Sequence, residues 1–283
     1  MGDCILTTPA LAILKQARPD VAVAVVVERR FRDLFAANPD ISEILEPDWR
    51  RVRRFRPDLC LNLHGGGTSA AITALAGSRF RAGFAHFRYS LVYNIQIPRA
   101  QEILGVTGKV HTAEHLAAAA FYLGAPRMEI PRARLFVRAS KTPARPYAVI
   151  HPHAAAANKT WPAQRFLEIA RHLNSSFDLE PVFIGGPGES LSTFAGWRRL
   201  EGAPLGEIQS VMAGASLFVG NDSGPAHMAA AFGVPVVVIF GSSDPVVWAP
   251  WRTQGEVLTG SDGIETVTAA EVREALERLR VRA

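Results

Sequence analysis

The sequence predicts a parallel α/β protein. Three observations carry that reading. Short Val-, Ile- and Leu-rich runs alternate with longer helical patterns along all 283 residues. The strongest runs, VAVAVVV at Val21–Val27 and VVVIF at Val236–Phe240, are continuous rather than alternating, as in strands covered on both faces. The alternation breaks once, between Arg127 and Pro146, where Pro126, Pro131, Pro143 and Pro146 accompany scattered arginines. Two Rossmann-like domains facing each other across a cleft are the simplest arrangement, with residues 1–142 as the first domain and 143–283 as the second.

In the first half, strands are expected at Val21–Val27, Ile41–Leu45, Asp58–Leu63 and, more weakly, Phe80–Phe84. Helices are expected at Pro9–Gln16, Phe31–Ala37, Trp49–Phe55, Ser69–Ala76 and His111–Leu123, the last stopped by Gly124-Ala125-Pro126. A domain of this type opens on a strand, whereas Met1-Gly2-Asp3 leads directly into a helix. The chain is therefore read as lacking its first strand, through a lost N-terminus, an internal methionine taken as the start, or a domain that tolerates the gap. In the second half, strands are expected at Tyr147–Ile150, Pro181–Ile184, Ser216–Val219 and Val236–Phe240. Helices alternate with them at Pro162–Leu173, Gly206–Met212, Pro225–Phe232 and Thr268–Leu279. Thr268 with Glu271 three residues on is the pattern of a capping box.

Composition bounds the function. Hydrophobic residues make up 48% and charged residues 20%, which describes a full globular core. The opening residues carry no basic n-region, and no run approaches the ~18 apolar residues of a membrane span, so a cytoplasmic protein is expected. Cys4 and Cys60 are too few and too far apart for a disulfide framework. A net charge of +5 favours acidic partners. The basic residues are spread out and lack aromatic interleaving, which argues against nucleic acid. The one dense run, Arg50 to Arg56, is either a solvated helix face or a surface for anionic ligands and headgroups.

Three polar loops at strand ends could carry chemistry. Asn221-Asp222-Ser223-Gly224-Pro225 stands between a strand and a helix. Pro225 suits the first helical turn, where its missing N–H costs nothing, and the helix N-terminus suits an anion. The N–H groups of Ser223, Gly224 and Ala226 are the expected donors; the alternative is an ordinary capped helix. The loop His151–Pro162 contains Lys159, one of four lysines beside twenty-seven arginines. It is either a phosphate partner or a solvated loop lysine. Gly185-Gly186-Pro187-Gly188-Glu189 allows close approach, and Glu189 could accept bonds from a ribose. Three such loops on one sheet point to a nucleotide diphosphate. In the first domain, Asp3 is either a helix cap or a carboxylate facing that site, able to take a proton from an attacking hydroxyl. His227, one turn into its helix, either reaches the site or packs in the core.

With these residues in view, the chain resembles the glycosyltransferase family 9 heptosyltransferases. The matching residues are Gly2-Asp3…Pro9, Asn38-Pro39-Asp40, Pro57-Asp58…Asn62-Leu63-His64-Gly65, His151-Pro152, Lys159…Trp161-Pro162, Gly185-Gly186, Gly220 to Pro225 with His227, and Phe240-Gly241…Asp244-Pro245. The resemblance implies the GT-B fold, with an acceptor-binding first domain and a nucleotide-sugar-binding second domain. It implies inverting, metal-independent transfer of heptose from ADP-heptose to a lipopolysaccharide core or lipid A-type acceptor. No cofactor is implied, the ADP-sugar being a co-substrate, and no metal. It leaves room for peripheral contact with the inner face of the cytoplasmic membrane. By resemblance Asp3 is the catalytic base, Lys159 lies near the donor phosphates and Glu189 near the ribose. Asp222, Ser223 and Gly224 form the diphosphate and sugar loop, with Pro225 and His227 beside them. His111 and Glu114 also occupy family-like positions. The sequence departs from the family at His153 and Ala155, where Gly and Ser are usual, and at Gly241-Ser242-Ser243, where Gly-Pro-Thr is common. The alternatives are a transferase for another nucleotide sugar, a nucleotide-sugar epimerase of similar architecture, and a non-catalytic nucleotide-binding remnant.

Overall fold

The computed structural model describes residues 1–137 and 145–282, without the side chains of the last three of these. The chain forms two compact units: Leu6–Pro131, and Met1–Ile5 together with Arg132–Ala283. This division differs from the expected one in two ways. The expected boundary at residue 142 lies outside the described residues, and the first five residues group with the C-terminal unit rather than with the N-terminal one. The cause of the second difference is local. A Cβ on Gly2 would lie 2.9 Å from the His227 ring, and one on Gly224 would lie 2.8 Å from Met1, so the first residues sit directly on the helix that follows Ser223.

Helix α1 (Gly2–Leu6) and helix α2 (Thr8–Ala17) open the chain. In the N-terminal unit, β1 (Ala24–Val26) pairs in parallel with β2 (Glu43–Leu45). After α3 (Trp49–Phe55), β3 (Leu59–Asn62), α4 (Gly67–Leu75), β4 (Phe80–Phe84) and β5 (Ile95–Ile97) form a parallel sheet in the order β3-β4-β5. Helices α5 (Ala100–Leu104) and α6 (Thr112–Tyr122) complete the unit. The expected helix at Phe31–Ala37 is a 3-10 turn, Arg29–Leu34. Asp48 caps α3 by accepting from the Arg50 N–H, and Arg56 ends the helix in the left-handed region at φ 57°. His111 and Glu114, the two further family-like positions, form the capping box of α6. The His111 ring accepts from Ala113 N–H, and Glu114 accepts from His111 N–H at 2.8 Å.

The C-terminal unit contains β6 (Tyr147–His151), α7 (Ala163–Ser176), β7 (Glu180–Gly185) and β8 (Arg198–Glu201). It continues through α8 (Leu205–Ala213), β9 (Leu217–Asn221), α9 (Gly224–Phe232) and β10 (Val236–Phe240). It ends with α10 (Pro245–Trp248), β11 (Gly255–Thr259) and α11 (Ala269–Arg282). All six strands are parallel, in the order β11-β10-β9-β6-β7-β8. The chain works outward from β6 to one edge and then outward from β9 to the other. The order therefore reverses between β6 and β9, where doubly wound sheets bind ligands.

Every residue of β6, β9 and β10 is buried. Successive side chains of a strand point to opposite faces. Ala148, Ile150, Val219, Val237 and Ile239 accordingly join Phe166, Leu173, Val272 and Leu276 of α7 and α11 in one core. Val149, Phe218, Val236 and Val238 are equally buried on the opposite face. Each buried Val, Leu, Ile or Phe side chain contributes about 1.5–3 kcal/mol through burial, which helps hold the strand ends in register.

Candidate donor-binding site

The site is built at the carboxyl ends of four neighbouring strands of the C-terminal unit, β7, β6, β9 and β10. Each strand delivers one loop. Buried hydrogen bonds then fix the loops to one another.

Asn221, fully buried at the end of β9, is the first tie. Its Oδ1 accepts the Trp161 backbone N–H at 3.0 Å, which draws the loop after β6 against the end of β9. The Trp161 ring is also fully buried and donates through Nε1 to Val267 O at 2.8 Å. The loop between β6 and α7 is thus anchored at its far end, and Lys159 is carried two residues before that anchor.

Lys159 and Asp222 meet. Lys159 Nζ lies 3.5 Å from Asp222 Oδ2, with the two side chains 31% and 10% exposed. The Ser243 hydroxyl, from the loop after β10, donates to the same Asp222 oxygen. Gly241 makes this approach feasible, because a Cβ there would lie 2.1 Å from Asn158 O and 2.9 Å from Lys159 Cα.

Ser223 is the N-cap of α9, yet its side chain makes no capping bond. Its Oγ is instead 3.0 Å from His151 Nδ1. The backbone of this turn corrects one expectation: Ala226 N–H donates to Ser223 O at 3.1 Å and so does not point outward. The N–H groups of Ser223 and Gly224 are left as the donors of the helix end, where the dipole adds positive potential. Pro225 occupies the first turn, as expected.

Glu189 faces the same point from the loop after β7. Its Oε2 accepts Gly186 N–H at 2.7 Å and lies 3.1 Å from His151 Nε2. The hydrogen bond from His151 is the main cause that holds the Glu189 carboxyl at about 2; the Gly186 N–H acts in the same sense. Glu189 is therefore an anion throughout the physiological range. Part of its accepting capacity is already engaged within the protein, which narrows what it can offer a ribose.

His151 is the residue that the sequence left without a role. It appeared only as half of a His-Pro dipeptide. Because β6 lies between β7 and β9, its last residue stands between Glu189 and Ser223, a placement that no linear spacing reveals. His153, one of the departures from the family pattern, is turned aside, with Nε2 3.0 Å from Ser190 O.

His227 is 5% exposed, and its ring lies against Gly2. It is a buried member of the first turn of α9. Asp3 is exposed and stands one residue from Gly2. Asp3 thus belongs to the same compact unit as the three polar loops. Lys159, Glu189, Asp222, Ser223, Gly224 and Pro225 all lie in the segments that follow the carboxyl ends of adjoining strands β6, β7 and β9. Among the described residues, no helix is long and apolar enough to cross a membrane.

Polar loops and a helix N-terminus at a strand-order reversal are common to many nucleotide-binding proteins, so the architecture alone does not name an activity. The family comparison does. The model of glycosyltransferase family 9 (heptosyltransferase) matches residues 48–266. Lipopolysaccharide heptosyltransferase 3 of Escherichia coli is 24% identical over 88% of this chain and 83% of its own length. In structure, the chain is similar to a family 9 glycosyl transferase from Veillonella parvula, with a TM-score of 0.88, 21% identity and coverage of 100% and 94% of the two chains. It is also similar to the E. coli heptosyltransferase WaaC with ADP, with a TM-score of 0.82, 22% identity and coverage of 99% and 97%. These neighbours have the two-domain GT-B fold. The chain therefore belongs to glycosyltransferase family 9, the heptosyltransferase family, and is an enzyme that transfers a sugar.

Proposed function

We propose that this enzyme transfers heptose from ADP-heptose to a lipopolysaccharide inner-core acceptor, with inversion at the anomeric carbon and without a metal ion. The observation that carries the reading is the pairing of Lys159 with Asp222, the residue before the Ser223 N-cap of α9, at the reversal point between β6 and β9. The sugar and the acceptor are supported by the relative named a lipopolysaccharide heptosyltransferase, and the nucleotide by the neighbour solved with ADP.

In this mechanism the diphosphate lies over the Ser223 and Gly224 N–H groups, with Lys159 turning from Asp222 toward a phosphate oxygen. An acceptor hydroxyl attacks the anomeric carbon as the bond to the diphosphate breaks, and Asp3 takes the hydroxyl proton. Charge grows on the leaving diphosphate during the step. Donors fixed at that position therefore stabilise the transition state more than the bound substrate. Lys159 and the helix end perform the charge compensation that a cation would otherwise supply. Asp222 holds the lysine in place beforehand, with Ser243 fixing the carboxylate.

The test is product analysis with ADP-heptose and a heptose-free lipopolysaccharide core. Release of ADP should require the acceptor, the new glycosidic bond should be inverted by NMR, and excess EDTA should leave the rate unchanged. Conversion of the sugar nucleotide without acceptor would replace the transferase reading with an epimerase one. A retained configuration or EDTA sensitivity would overturn the stated mechanism.

A further inference from the structure

The His151 ring is held on both sides. Its side chain is 6% exposed, Nδ1 is 3.0 Å from Ser223 Oγ and Nε2 is 3.1 Å from Glu189 Oε2. An ionised carboxylate only accepts, so Nε2 carries a hydrogen and donates it to Glu189. The protonation of Nδ1 then decides the direction of the Ser223 hydroxyl. In the neutral ring Nδ1 is a lone pair, Ser223 donates into it, and the hydroxyl offers only lone pairs outward. A phosphate oxygen meeting that face is repelled. In the imidazolium, Nδ1–H donates to Oγ, and the hydroxyl hydrogen is released to point at a ligand.

We propose that His151 is a positioning residue that takes up one proton from solvent as the donor diphosphate binds, turning the Ser223 hydroxyl from acceptor to donor. The inference rests on the donor-site reading given above. The missing side-chain cap of α9 supports it, since Ser223 has given up the ordinary capping bond for the bond to His151. The neighbours that set the balance come from three elements. Glu189, after β7, favours the imidazolium. His153, in the loop after β6, has its ring centroid 6.3 Å away and opposes a second positive charge when it is itself protonated. Next to Ser223, Asp222 is paired with Lys159 before the ligand arrives; a diphosphate that then shares this one lysine with Asp222 leaves net negative charge beside Ser223, which draws the proton in. On departure of the nucleotide the proton returns to solvent, which couples product release to pH.

The experiment is calorimetry on the full chain with ADP-ribose, whose diphosphate diester has no ionisation near neutrality, in two buffers of different ionisation enthalpy. At about pH 8, proton uptake approaching one per ligand is expected, and the dissociation constant should rise toward tenfold per pH unit on the alkaline side. H151N and S223A should each bring the uptake close to zero. E189Q should move the alkaline weakening to lower pH, because the carboxylate that favours the cation is gone. Should H151N fail to fold, S223A and E189Q carry the test. Binding of ADP-ribose without proton uptake overturns the inference while leaving the donor site intact. Full uptake in S223A also overturns it, since the proton would then serve the phosphate directly. Absence of ADP-ribose binding overturns the donor-site reading together with this inference.

Discussion

Lys159 Nζ lies 3.5 Å from Asp222 Oδ2, so the cation expected to meet a diphosphate is already held by a carboxylate of the same site. The pair is partly buried, and Ser243 steadies the carboxylate from a third loop. Such a cation is pre-placed rather than free to wander, which lowers the entropy cost of meeting a ligand.

Replacing Lys159 by alanine should weaken ADP about tenfold or more, in the range of one lost charge-assisted hydrogen bond of roughly 1.5–3 kcal/mol. In the proposed mechanism the lysine faces charge that grows in the transition state, so turnover should slow as well. Calorimetry and steady-state kinetics read both effects. Unchanged values would return Lys159 to the role of a solvated loop lysine.

Gly241→Ala tests how the loop is held. The new methyl would lie 2.1 Å from Asn158 O, so the Asn158–Lys159 backbone must move. A destabilisation of about 1–3 kcal/mol is expected, as for other overpacked sites. Loss of ADP affinity should accompany it, and thermal melts with and without ADP would show whether the two travel together.

Asn221→Ala leaves the Trp161 N–H buried without its acceptor, at a cost of about 1–3 kcal/mol. Chemical denaturation measures that cost. Because Lys159 is anchored through Trp161, ADP affinity should fall as well, although Asn221 is assigned no contact with the ligand.

Two contributions to the acid limb of stability can be separated by pH. His115 is held down at about 4, first by burial and then by the charge of His86, and it stacks on Phe84 at 4.1 Å. The unfolded chain binds that proton more readily, so the contribution is complete above the ordinary histidine range and is lost as pH falls toward 4. Glu189, lowered from 4.5 to about 2, contributes above 4.5 and loses its contribution as pH falls toward 2. His115→Phe should therefore flatten the melting temperature between about pH 6.5 and 4, and Glu189→Gln only below about 4.5. A His115→Phe profile parallel to the parent would contradict the first assignment.

The central strands were legible because burial on both faces leaves a continuous apolar run, as at Val236–Phe240, where the observed strand matches the expected one. Strands β5, β8 and β11 were not. Gln96, Arg198, Arg199 and Glu256 interrupt them, and such short strands exist because a neighbour offers a ladder, not because of their own composition. The polar loops at the strand ends were readable from Gly, Asp, Ser and Lys in the sequence. His151 was not, because its role arises from strand order: β6 lies between the strands that deliver Glu189 and Ser223, residues 38 and 72 positions away in sequence. Asp3 was expected on the opposite domain, yet it groups with the donor loops through Met1 and Gly2, a contact that no local pattern encodes.

Asp3 is the proposed base, and the proposed diphosphate site is formed by other residues. The direct measurement is Asp3→Ala, with transfer from ADP-heptose and ADP affinity determined on the same preparation. Transfer should be abolished while the dissociation constant of ADP stays within about twofold, since general-base catalysis is lost and nucleotide binding is not. Retained transfer, or a loss of ADP affinity as large as the loss of transfer, would contradict the account.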